Sequence, residues 1–214
     1  MMQLLSLQIG LPQEYTWKGK PVRTSIFKQP TSAPVQVHAE HLAGDGQADL
    51  RVHGGPYKAV YSYPHEHYAF WQQHLGGSEL EPGAFGENLT TLGLLENQVR
   101  VGDCYQMGTA VLMAVQPRQP CFKLGLRFQN DRMVREFERA GRSGIYFRVQ
   151  QEGVIQAGDF ITLVQQSSHN VTIQDLTDSL APGPKDAQKL QLLLEAPDLI
   201  PAWRERLTRM LAEA

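Results

Sequence analysis

Apolar positions in the first three-quarters of the chain fall in short runs broken by Gly and Pro. Leu4–Ile9, Val35–Val37, Ala59–Tyr63, Val99–Val101, Ala110–Val115, Ile145–Val149 and Phe160–Val164 each read as a strand. Many short strands with turn residues between them predict a barrel or a sandwich. Gly102-Asp103 and Gly158-Asp159 mark tight turns, where Gly can take positive φ and Asp can bond the local backbone. Two helices interrupt the strands. Pro64 opens one over His65–Leu75, with Tyr68, Trp71 and Leu75 on one face. The other is Asp131–Ala140, striped by Met133, Val134 and Phe137 and stopped by Gly141.

Further along, the pattern turns helical. Thr172–Leu180, Asp186–Ala196 and Ile200–Ala212 are three predicted helices. Leu190, Leu193 and Leu194 share a face of the second; Trp203, Leu207, Met210 and Leu211 recur at helical spacing in the third. The expected division is a β-rich domain over 1–167 and a small three-helix module over 168–214. So short a module buries little by itself, so it is expected to pack on the β-rich domain or on another copy of the chain.

Composition narrows the classes. The 214 residues are 42% apolar, enough for a sizeable core. A net charge of -2 argues against a stable nucleic-acid binder and against an acidic disordered chain. Cys104 and Cys121 form no C-x-x-C pair, which excludes a disulfide scaffold or a zinc ribbon. The start lacks the basic and apolar regions of a signal peptide, and no run is long enough to span a membrane. A cytoplasmic protein with free thiols is expected. The average charge hides one cationic stretch: Pro117 to Arg148 holds eight cations against three acids. Those on the 131–140 helix read as its solvated face; those beside Cys121 read as a pocket for an anion.

Cys121 is the leading candidate for chemistry. It lies in Gln116-Pro117-Arg118-Gln119-Pro120-Cys121-Phe122-Lys123-Leu124, a proline-stiffened segment with cations on both sides. Cationic neighbours favour the thiolate, the form that serves as nucleophile and metal ligand. Cys104, with no adjacent cation, reads as a core residue. In His53-Gly54-Gly55-Pro56-Tyr57-Lys58 the glycines could bring backbone N–H groups to an anion, with His53 and Lys58 as donors; a plain loop fits equally. Phe85-Gly86-Glu87-Asn88 could line a pocket or satisfy its own backbone. His65-Glu66-His67 puts its histidines two apart, on different sides of a helix, which does not support zinc. Gly141-Arg142-Ser143-Gly144 lacks the spacing of a nucleotide loop.

In order along the chain, His53-Gly54-Gly55, Lys58-Ala59-Val60, Tyr63-Pro64, Glu66-His67-Tyr68, Trp71, Phe85 to Leu89, Gly102-Asp103, Gln116-Pro117-Arg118, then Pro120, Cys121, Lys123 and Leu124, and Gly144–Val149 resemble the MOSC domain. This is the domain shared with the C-terminus of molybdenum cofactor sulfurases. The chain is most similar to the stand-alone bacterial YiiM-type branch, which adds three C-terminal helices. The resemblance implies a mainly β fold with α, a β-barrel with peripheral helices, and a molybdenum cofactor, Mo-molybdopterin, bound through Cys121. It implies reduction of N-hydroxylated compounds, N-hydroxylated purine bases among them, with a flavoprotein or iron–sulfur protein as electron donor. Cofactor contacts are then expected from Arg51, His53, Gly54, Gly55, Lys58, Phe85, Glu87, Asn88, Arg118, Lys123 and Arg142; Arg142 rests on its charge alone. Two other readings stand beside this one: a cofactor or sulfur carrier with no turnover of its own, and an interaction module whose C-terminal helices form a homodimer.

Overall fold

The computed structural model describes residues 1–49 and 54–214. Among them, seven strands close a mixed barrel: β1 (Met2–Ile9), β6 (Val60–Pro64), β7 (Leu89–Leu92), β8 (Cys104–Met107), β9 (Ala110–Pro117), β10 (Ile145–Gln151) and β12 (Phe160–Gln165). The order is β12-β8-β9-β10-β6-β7-β1, and β1 returns to β12 through Met2–Ile161 and Gln3–Phe160. All neighbours are antiparallel except β6 and β7. A parallel pair needs a crossover, and here it carries a 3-10 turn at His65–His67 and helix α1 (Tyr68–His74). β4 (Gln29–Thr31) extends the sheet from the far end of β1. β5 (Val35–Val37) and β11 (Gly153–Ile155) pair separately.

β2 (Gln13–Trp17) and β3 (Lys20–Thr24) form a hairpin outside the barrel. Its two-residue turn, Lys18-Gly19, takes positive φ at both positions (52° and 73°), the geometry whose twist suits paired strands. The sequence reading placed no strand here. It also expected a strand at Val99–Val101, and the structure corrects this to a turn with a single bridge, Arg100–Thr172. The valines are buried as a strand's would be, but the Val101 N–H donates to Val171 in the tail and the Val99 N–H to Leu95. Gly102 then turns at φ 93°, and Asp103 accepts the Arg100 N–H at 2.9 Å.

β6 is buried along its whole length. Alternation sends Val60 into the barrel and Tyr61 and Tyr63 to the opposite face. There the tyrosines meet α1, α2 (Phe122–Phe128) and α3 (Met133–Ala140) in an aromatic cluster. Tyr63 stacks on Phe85 at 4.4 Å between centroids, Trp71 stacks on Phe137 at 5.7 Å, and the Trp71 indole donates to the Tyr63 hydroxyl at 2.6 Å. α3 ends at Gly141 in the left-handed region.

The tail forms α4 (Ile173–Ser179), α5 (Ala187–Leu194) and α6 (Pro201–Ala212). Thr172 and Asp175 make a capping box on α4, and the Asp186 side chain caps α5. Ile173, Leu176, Leu190, Leu193, Trp203 and Leu207 belong to the same buried cluster as barrel residues Leu4, Leu112, Ile145 and Phe147. The helices therefore pack on the barrel itself. No helix among the described residues is long and apolar enough to cross a membrane.

Candidate active site

β9 ends at Pro117, and the chain crosses the barrel rim as Arg118-Gln119-Pro120 before Cys121 opens α2. Cys121 is partly exposed and faces an open cleft of about 90 Å³. Six other segments reach the cleft: the end of the hairpin through Lys28, the loop around Asp45, the turn carrying Lys58, Gly86–Asn88, and the barrel strands β6 at Tyr61 and β10 at Tyr146. Gly55 caps that turn at φ 86°. A Cβ at Gly55 would meet nothing within 4 Å, so the backbone angle, not space, favours glycine there.

Cations line the cleft around Cys121. Lys58 and Lys123 line it beside Cys121. Burial lowers the pKa of Lys58, and the nearby Cys121 sulfur opposes that. Arg118 forms a wall and is only 8% exposed. Its guanidinium lies 4.9 Å from the Tyr61 ring and 5.5 Å from that of Phe137, and donates to the Phe85 carbonyl at 2.5 Å. Burial works against its charge, but Tyr61, Tyr146 and Cys121 more than offset this and raise its pKa. Burial pushes the Tyr61 and Tyr146 hydroxyls upward, so both keep their protons at neutral pH.

The floor holds a buried ion pair, Lys28–Asp45. Asp45 also accepts the Gly10 N–H at 2.8 Å and the Asn88 amide at 2.9 Å. Asn88 in turn accepts the Tyr61 N–H at 3.2 Å. Burial lowers the Lys28 pKa, with Asp45 pulling the other way.

Of the residues expected from sequence, Cys121, Lys58, Asn88, Arg118 and Lys123 line this one cleft. Glu87 and Phe85 lie behind it. Glu87 is fully buried and closes its own loop: it accepts the N–H groups of Gly83 and Phe85 and the hydroxyls of Thr90 and Tyr68. Phe85 supplies the carbonyl that fixes Arg118. Gly54 precedes the Gly55 cap, while Arg51 and His53 lie outside the described residues. Arg142 is not brought to the cleft. It donates to His67 Nδ1 at 2.9 Å and sits over the Phe70 ring, in a separate pocket with Glu96. An arginine only donates, so the His67 proton is on Nε2, which meets Glu96 at 2.8 Å. His65, Glu66 and His67 go to three different partners: the Tyr68 ring, the Gly93 N–H and Glu96. Cys104 is buried in β8, and burial, then Asp198 and Asp103, push its thiol upward.

Sequence reasoning missed Lys28, Asp45, Tyr61 and Tyr146. Asp45 has one local signal, its place between Gly44 and Gly46 in a loop; the other three have none.

Residues 49–162 match the family model of the MOSC domain. The chain belongs to the MOSC domain family. It is 39% identical over 201 residues to an uncharacterized protein, YflK, of Bacillus subtilis strain 168, covering 94% of this chain and 90% of that one. A protein of Gibberella moniliformis named as a reductase is 38% identical over 154 residues, 69% of this chain and 27% of that one. The crystal structure of YiiM from Geobacillus stearothermophilus superposes with a TM-score of 0.82 at 34% identity, covering 99% of this chain and all of that one. The MOSC match includes Lys58, Asn88, Arg118, Cys121 and Lys123. Lys28, Asp45 and the three tail helices lie outside its bounds.

Proposed function

We infer that this protein is a cytoplasmic molybdenum-dependent reductase of N-hydroxylated compounds, including N-hydroxylated purine bases, with Cys121 as the protein ligand to the metal. The observation that carries this reading is the placement of one partly exposed thiol in a cleft with Lys58, Lys123 and Arg118. A soft thiolate suits molybdenum, and cationic donors suit the phosphate of a pterin cofactor. The residues present therefore fit the group. The MOSC family membership and the similarity to a fungal protein named as a reductase support the same reading.

When bound, the cofactor supplies a two-electron redox centre for cleaving the N–O bond. Lys58 and Lys123 attract and hold its anionic part. Arg118, locked by Phe85 and two aromatic rings, gives a fixed positive wall. Tyr61, whose hydroxyl donates to the Ser143 carbonyl at 2.9 Å, and Tyr146 line the cleft beside that wall and are kept protonated. Lys28 Nζ holds its proton against Asp45 at the floor. Overall, the hydroxylamine R–NHOH takes up two electrons and two protons and yields R–NH2 and water. A separate flavoprotein or iron–sulfur protein supplies the electrons.

The test is to express the chain with an intact cofactor pathway and measure molybdenum and pterin per chain, together with reduction of an N-hydroxylated base. Cys121→Ser should lose metal and activity together. Full metal and activity in that variant overturn the assignment. A mass increase of one sulfur atom at Cys121, without pterin, favours the carrier reading instead.

A further inference from the structure

The MOSC match ends at residue 162, yet one turn of α6 reaches both sides of the cleft. Trp203 is buried, and its indole N–H donates to the Gln116 side-chain oxygen at 3.1 Å. The Gln116 amide then donates to the Tyr57 carbonyl at 2.8 Å. Gln116 lies in β9, on the strand that delivers Cys121; Tyr57 adjoins Lys58 in the glycine-capped turn. One side chain thus joins the strand before the thiol to the turn that carries the lysine. Three residues on from Trp203, the Arg206 guanidinium donates to the Gln119 side chain at 2.7 Å, two residues before Cys121.

We propose that Trp203 and Arg206 are positioning residues that hold the Cys121 segment and the Lys58 turn in register, making the C-terminal helix part of the active site. The buried part of this brace is fully satisfied. Gln116 accepts from Trp203 and donates to Tyr57, so losing one arm leaves a buried polar group without its partner. Arg204, on the same helix, is the internal contrast. Its guanidinium donates to the carbonyls of Leu194 and Ala196, within the tail, and reaches neither side of the cleft.

The proposal is tested on the full-length chain, made in a host without pterin synthesis, by alkylation with iodoacetamide. Rates at Cys121 and Cys104 are followed separately by mass spectrometry. Trp203→Phe keeps an aromatic ring in the pocket but removes the donor and part of the ring volume; Arg206→Ala, at a half-buried side chain outside the core, is the second variant and leaves no core cavity. Each should speed alkylation of Cys121 about fivefold, the change in a local opening equilibrium expected from one lost hydrogen bond. Cys104 should not change. Gln116→Glu still accepts from Trp203 but no longer donates to Tyr57 and sets a carboxylate oxygen against that carbonyl, so it should speed Cys121 at least as much as Trp203→Phe. Arg204→Ala should lower thermal stability and leave the Cys121 rate at the wild-type value. A Cys121 rate that stays unchanged or falls in both Trp203→Phe and Arg206→Ala, or a parallel rise at Cys104, overturns the proposal. So does an equal acceleration in Arg204→Ala.

Discussion

Asp45→Asn removes one charge from the cleft floor and almost no volume. Lys28 and Asp45 are 8% and 4% exposed at their side chains, so the Lys28 ammonium then sits buried without its paired carboxylate, with Glu87 as the remaining acid acting on it. Removing one partner of a buried pair costs about 3–5 kcal/mol, a fifth or more of a typical stability of about 5–15 kcal/mol. Asparagine can still accept from Gly10 but turns its NH2 on the Asn88 amide, so the loss combines the stranded ammonium with one broken hydrogen bond. Lys28→Met in the Asp45→Asn background removes that ammonium and should recover about 2 kcal/mol. Urea unfolding reads both changes, provided the m-value stays constant.

The pH dependence of this variant has a definite sign. Burial lowers the folded-state pKa of Lys28, and Asp45 opposes the lowering. Without the Asp45 charge the lowering deepens. Below the folded-state value both states hold the proton, and the folded state bears the full cost. Above it the folded state releases the proton, while the unfolded chain keeps it up to about 10.5. The unfolded state then binds more protons, so the stability of Asp45→Asn should climb relative to wild type as pH rises towards 10.5. The buried tyrosines, whose pKa values are raised, act in the opposite direction near pH 10 but contribute alike to both proteins. A loss under about 1 kcal/mol, with no recovery in the double variant, would refute a dry, charge-paired floor.

Three further outcomes are expected. Iodoacetamide at neutral pH should modify Cys121 well before Cys104, whose thiol is buried and pushed upward, and equal rates by peptide mapping contradict this placement. Thr172→Ala opens the capping box of α4 and should cost about 1 kcal/mol, a fall in melting temperature of about 2–4 °C for a chain of this size. Gly144→Ala should cost at least about 2 kcal/mol, because Gly144 has φ 68° and an added Cβ would sit 2.5 Å from the Ser62 carbonyl oxygen; Gly55→Ala, strained but unobstructed, should cost about 1 kcal/mol by chemical unfolding.

Much of the site was legible because its signals are local. Cys121 stands out through the prolines and cations within four residues of it. The tail helices stand out through apolar spacing and through caps such as Thr172 and Asp186. α2 escaped notice because Leu124, Gly125 and Leu126 are buried in sequence while Phe122 is exposed, which leaves no clean helical stripe. Val99–Val101 shows the converse, since burial alone resembles a strand when the hydrogen bonds go elsewhere. Lys28 and Asp45 meet only after the hairpin and two loops fold against the barrel, and nothing adjacent to either marks the pairing. Arg142 carries the right charge, but its guanidinium is taken up by His67 and Phe70.

The closure of the barrel has a consequence for how the chain is made. β1 is synthesised well before β12, and although Gln3 pairs with Leu92 of β7 on one side, the other edge of Met2–Gln3 has no strand partner until Phe160 and Ile161 appear. At about 5–20 residues per second, that end waits on the order of ten seconds as an open strand edge. Such an edge is a template for pairing with other chains, so the nascent protein is most exposed to aggregation before β12 is complete. α6 emerges later still, so the brace on the Cys121 segment is assembled after the barrel closes. A ribosome that stalls between the barrel and the tail would release a closed barrel with an unbraced thiol.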